Sequence, residues 1–176
     1  HKDWSYPNQL GKTMAENALK ILIEQGESAY EANCVQHVNA SFMSVVSAII
    51  MGIGYASILV EEDYNSALAH ALYNAFMAME SVTKYPHGLV VAYGVLVQCL
   101  VDEDQACFER LYPFYQSLKL PTTLKAIGTD IDHPDLPRIV DEALKMPDCR
   151  FVSRPLTQEH VLEAMRRLEK ITLREV

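Results

Sequence analysis

Nowhere in this chain do polar and apolar residues alternate for long enough to build a half-buried strand, and that absence limits the fold more than any single motif. Apolar side chains return instead every three or four positions. Between Pro7 and Ile23 they fall at Leu10, Met14, Ala18, Ile21 and Leu22, the spacing of one helix face. Val90 to Leu100 is continuous enough to be compared with a buried strand, but its length and its Ala92 and Gly94 favour a helix. The expected fold class is therefore all-α, a helical bundle-like domain covering 1–176 as a single unit. With 49% of 176 residues apolar, there is enough side-chain surface for a real core.

Punctuation residues divide the chain. Pro7 suits a first helical turn and Gly26 a stop, with Ser28 to Cys34 as a short helix after it. Val35 to Ile53 is expected to be a long helix, closed by Gly52, Gly54 and the acidic Glu61-Glu62-Asp63. A helix from about Ser66 to Val82 follows, ended by Tyr85-Pro86. Gly88 to Val101 reads as the longest apolar stretch, too short to span a bilayer and better suited to a buried helix. Further helices are expected over Gln105 to Leu118, after Leu120-Pro121-Thr122, over Leu136 to Leu144, and from a Thr157 cap to about Ile171.

A formal charge of −8 argues against nucleic acid or an anionic membrane as a partner. Cys34, Cys99, Cys107 and Cys149 form no CxxC pair, so they read as free thiols of a reducing, cytoplasmic compartment. No signal-peptide pattern is visible, and the opening on His1 without a methionine suggests a fragment or a trimmed chain.

Of six histidines, His1, His37, His133 and His160 sit in terminal, polar or charged surroundings that suit a solvated surface role. His70 and His87 differ. On a helix, His70, Asn74, Met77 and Ser81 share one face, a narrow polar stripe beside Leu68, Leu72, Ala75, Phe76, Met79 and Val82. Such a stripe lines a cavity or holds a hydrogen-bonded core histidine; spacing alone leaves both open. His87 follows Pro86 and opens the apolar helix, where the positive helix end favours the neutral imidazole that a metal ligand must be. The two are 17 positions apart and so come from successive helices. Two histidines fall short of the three protein ligands usual in a catalytic zinc site. Phosphate-binding glycine loops and nucleophile elbows are missing from the chain, and Gly52-Ile-Gly54 reads as a helix stop.

The stretch Ala69-His70-Ala71-Leu72-Tyr73-Asn74, followed by Tyr85-Pro86-His87-Gly88-Leu89-Val90-Val91-Ala92-Tyr93-Gly94-Val95-Leu96-Val97-Gln98, resembles the iron-containing alcohol dehydrogenase superfamily, and within it the glycerol dehydrogenases. The resemblance covers nearly the whole chain and corresponds to the helical C-terminal domain of such dehydroquinate synthase-like enzymes. It implies that His70 and His87 bind a divalent metal, zinc or iron (Zn2+ or Fe2+), with an aspartate from a preceding segment, and that Asn74 and Gly88 line the cavity. It further implies hydride transfer from a small-molecule alcohol to NAD carried on an N-terminal α/β domain. Independently of the resemblance, long apolar helices of this kind commonly self-associate, so a homo-oligomer is expected. Tyr73 stands where the family has a second histidine, and Leu89 where an acid is usual after His-Gly; both bear on which alcohol is taken. The alternatives are a dehydroquinate-synthase-like domain, although Ser66-Ala67-Leu68-Ala69-His70-Ala71 lacks that group's Gly-His-Thr element, and a helical interaction module without catalysis.

Overall fold

A computed structural model describes residues 5–61, 66–151 and 155–174. All the regular structure among the described residues is helical, with no strand among them, as the periodicity requires. They group into two compact units, 1–65 and 66–176.

The first unit is a helical hairpin. Helix α1 runs over Tyr6–Cys34, with Pro7 in its first turn and Ser5 accepting from the Asn8 N–H at 3.5 Å. Gly26 does not stop it: that glycine is buried within the helix, and the expected break before Ser28 does not occur. The returning arm starts at Ala40, later than the expected Val35, because Gln36 turns left-handed (φ 53°) and Asn39 caps the new helix, accepting from Phe42 N–H at 2.7 Å. It comprises α2 (Ala40–Ser47), a π-helical segment (Ala48–Ile53) and α3 (Gly54–Leu59). Gly52 and Gly54 therefore lie inside a helical run. Gly52 has a packing reason: a Cβ there would stand 3.0 Å from Ala18 Cβ. At Gly11 an added Cβ would meet Val60 Cγ1 at 2.6 Å. The arms are tied at their ends by Asn39 Nδ2 donating to Ser28 Oγ (3.3 Å), and by buried Asn8, which donates to Glu61 Oε1 (3.1 Å) and accepts from Glu61 N–H (3.0 Å).

Ala40–Leu59, not Gly88–Val101, is the longer apolar run. It is long and apolar enough to cross a membrane by length and composition alone, and little of it is buried. Met43, Ile49, Ile50, Met51, Ile53 and Ile58 are all exposed.

The second unit is built around α5 (His87–Val101), which packs against α4 (Leu68–Phe76), α6 (Gln105–Ser117) and α8 (Gln158–Arg174); α7 (Leu136–Leu144) bridges α4 and α8. Leu68, Leu72, Phe76, Leu96, Ile139 and Met165 are fully buried among them. Only a single 3-10 turn, Lys125–Ile127, follows Pro121 where a short helix was expected. Cross-links finish the core: Tyr115 donates to Ala92 O (3.0 Å), and Glu169 accepts from Leu124 N–H (2.6 Å). Thr157 Oγ1 accepts from His160 N–H at 3.2 Å, the cap expected for α8.

Candidate metal centre

Helix α4 begins without a side-chain cap of its own, since Ala67 occupies that position. One of its orphan donors is met from outside the helix: Ala69 N–H donates to Gln98 Oε1 of α5 at 3.2 Å. A second device brings the two backbones together. Gly94 is buried against Ala69, and a Cβ in its place would lie 2.9 Å from both the Cα and the carbonyl oxygen of Ala69. The crossing of α4 and α5 is thus set at the residue before His70, and α5 is led into its first turn by Pro86 in an extended conformation (ψ 139°). His87 is the first residue of that helix, as expected.

This crossing brings the two histidines together. Their ring centroids are 5.7 Å apart, with planes inclined at 46°. His70 is half-buried and His87 exposed. A metal ion sits about 2.0–2.1 Å from an imidazole nitrogen, hence roughly 3 Å from the ring centroid, so two rings sharing a tetrahedral ion stand roughly 5–6 Å apart. The observed separation fits a shared ion. Tyr73, one helical turn from His70, meets the His87 ring edge-on at 4.1 Å and 75°. An edge-to-face contact at this distance restrains the orientation of the imidazole, a task that otherwise falls to a hydrogen-bond partner on its far nitrogen.

The rest of the expected stripe is not assembled. Asn74 is on α4 but exposed. Met77 is the residue after the helix, and Ser81 lies in the irregular turn beyond it, because α4 ends at Phe76 and not near Val82. Gly88 is exposed, with open space where a Cβ would stand. Among the described residues no set of three or more His, Cys, Asp or Glu side chains converges to hold a metal. His133 accepts from Asp135 N–H through Nδ1 (3.2 Å), His37 is exposed beyond α1, and His160 is in the first turn of α8; His1 lies outside the described residues. Gln98 and Gly94 were visible in the sequence motif but carried no assigned role; a glutamine inside an otherwise apolar helix was the signal.

An all-helical domain with two histidines presented at a helix crossing is a class of fold with known counterparts. No family model matches the chain. Hydroxycarboxylate dehydrogenase A of Escherichia coli (strain K12) is 29% identical over 92% of this chain and 45% of that protein. A glycerol dehydrogenase of Thermotoga maritima is 28% identical over 93% of this chain and 47% of its own length. Among solved structures, a probable glycerol dehydrogenase from Sinorhizobium meliloti 1021 superposes with a TM-score of 0.80 over 96% of this chain and 47% of that one, at 22% identity, which speaks for the fold. The chain is a homologue of the glycerol and hydroxycarboxylate dehydrogenases and matches their C-terminal part, as expected for the iron-containing alcohol dehydrogenase superfamily. It spans under half the length of the curated relatives it matches.

Proposed function

We propose that residues 1–176 are the single metal-binding helical domain of an NAD-dependent dehydrogenase acting on glycerol, another small polyol or a small hydroxy acid. The observation that carries this is the 5.7 Å approach of His70 and His87. A divalent zinc or iron ion, when bound, supplies Lewis-acid polarisation of an alcohol oxygen. His70 and His87 are two of its donors, and the third is an aspartate of a preceding segment. This chain's own task is positioning. Gly94 and Gln98 hold α4 against α5, Tyr73 restrains the His87 ring, and exposed Asn74 and Gly88 border the place where substrate enters. NAD is carried by an N-terminal α/β domain of the same protein. The names of the relatives support hydride transfer over a dehydroquinate-synthase-like reaction or a non-catalytic module. Ala40–Leu59 is read as a helix that packs within a cytoplasmic homo-oligomer and not as a membrane span, because Gly52 and Ala56 already seat one side of it on α1.

The test is metal content and zinc affinity of the chain beside His70→Ala and His87→Ala, with each variant checked for folding by circular dichroism. Zinc uptake lost in both folded variants supports the reading. Uptake unchanged in His87→Ala, together with full alcohol-oxidising activity of the longer protein carrying that substitution, refutes it.

A further inference from the structure

Two of the four cysteines meet at the far end of α5 from His87. Cys99, in the last turns of α5, donates its S–H to Cys107 Sγ, in the first turn of α6, at 3.6 Å. The hairpin between them is short and rigid: Glu103 is left-handed (φ 56°), Asp104 N–H donates to Cys99 O (3.0 Å), and the Asp104 carboxylate accepts from Cys107 N–H (3.0 Å). The thiols face a surface cleft of about 250 Å3 lined by Val95, Gln98, Cys99, Asp102, Asp104 and Cys107. Cys99 is buried and Cys107 half-exposed, while Cys34 is exposed in the other unit and Cys149 donates to Ala143 O (3.4 Å). The arrangement pairs one reachable sulfur with one sheltered sulfur already in van der Waals contact, the attacking and resolving geometry of a redox-sensitive dithiol.

We propose that Cys99 and Cys107 are a reversible intramolecular disulfide site whose oxidant is a small neutral hydroperoxide. The two carboxylates at the cleft repel anionic oxidants such as glutathione disulfide, whereas hydrogen peroxide is small and uncharged. The Cys107 thiolate attacks one peroxide oxygen, forming an S–O bond as the O–O bond breaks, and the departing hydroxide is protonated to water. The Cys99 sulfur then displaces hydroxide from the resulting sulfenic acid; the S–S bond forms, and the Cys99 proton leaves with that hydroxide as a second water. Two thiols are oxidised and one peroxide is reduced. Burial pushes the Cys99 thiol well above its ordinary range, with Cys107 and the nearby acids adding to the effect, which suits a resolving partner and not a first attacker.

The experiment treats the folded chain with equimolar hydrogen peroxide, alkylates remaining thiols, and cleaves at the acidic turn Asp102-Glu103-Asp104 that separates the two cysteines. The expected product has lost two hydrogens, keeps the fragments on either side of the turn joined, and releases them on reduction with dithiothreitol. Cys34 and Cys149 remain alkylated. In Cys107→Ser, the rate of Cys99 oxidation is expected to fall at least about tenfold. The proposal is overturned by Cys107 accumulating as sulfinic acid beside a free Cys99, by a disulfide through Cys34 instead, or by both thiols surviving the treatment.

Discussion

Replacing Gly94 by alanine tests the idea that one close helix approach builds the metal centre. The added Cβ lies 2.9 Å from the Ala69 Cα and carbonyl oxygen, against 3.4 Å for the start of ordinary contact, so α4 must retreat by about half an ångström. The obstruction is backbone, which cannot rotate away as a side chain can. Overpacking of this kind costs about 1–3 kcal/mol. The retreat also stretches the 3.2 Å bond from Ala69 N–H to Gln98, worth about 0.5–1.5 kcal/mol. Alanine returns about 1 kcal/mol through helix propensity. The balance is a destabilisation of about 2 kcal/mol, or a melting temperature lower by roughly 4–8 °C for a chain of this size. Because Ala69 precedes His70, zinc affinity should fall by about tenfold as the histidine pair is displaced. Thermal melts and zinc titration read the two effects separately. Gly54→Ala is the control: nothing lies within 4 Å of its Cβ position and its backbone is helical, so it should stabilise by about 0.5–1 kcal/mol. A Gly94→Ala protein that melts at the wild-type temperature and binds zinc as tightly would refute the reasoning.

Gly128→Ala should lower the melting temperature more than Gly94→Ala, since Gly128 is left-handed (φ 90°) and its Cβ would strike Ser81 O at 2.7 Å; calorimetry on both variants makes the comparison. Glu169 is held above the usual carboxylate range chiefly by desolvation, with the Leu124 N–H bond pulling the other way. Its folded pKa is raised, so the folded state binds more protons between the unfolded and folded values, and stability is lost as pH rises through that window. Glu169→Gln, which still offers Leu124 an acceptor, should therefore show a smaller loss of stability than the wild type across that rise, measured by denaturant titration at a series of pH values. Tyr73→Phe should keep zinc affinity, because the contact with His87 is between the two rings and phenylalanine keeps the ring, while Tyr73→Ala should weaken it several-fold in an equilibrium titration.

Much of this architecture was legible in the residues, and the misreadings have a common cause. Helix α5 announced itself through Pro86 and an uninterrupted apolar run, and α8 through Thr157. Glycine costs helix stability, so local propensity places helix ends at Gly26, Gly52 and Gly54. Gly52 instead lets the hairpin arms approach, a tertiary gain that local propensity does not contain. The same limit applies to α4: periodicity carries the polar stripe to Ser81, while the chain leaves the helix at Phe76 and Ser81 packs against Gly128. For the site, residue type and the resemblance pointed to His70 and His87. Their approach depends on the Gly94 contact and the path of the 77–86 connection, and neither follows from spacing. Among the described residues no third donor joins the two histidines.

The π-helical segment Ala48–Ile53 carries an evolutionary consequence. A short π turn is an α-helix holding one surplus residue, and each residue turns an α-helix by roughly 100°. Deleting a single residue elsewhere in the Ala40–Leu59 arm would swing one end of it off α1. Deleting one within the π segment would restore α geometry and leave Phe42 and Ala56 on the faces they now occupy. Within the Ala40–Leu59 arm, the π segment is where a descendant gene can lose a residue without changing which residues meet α1.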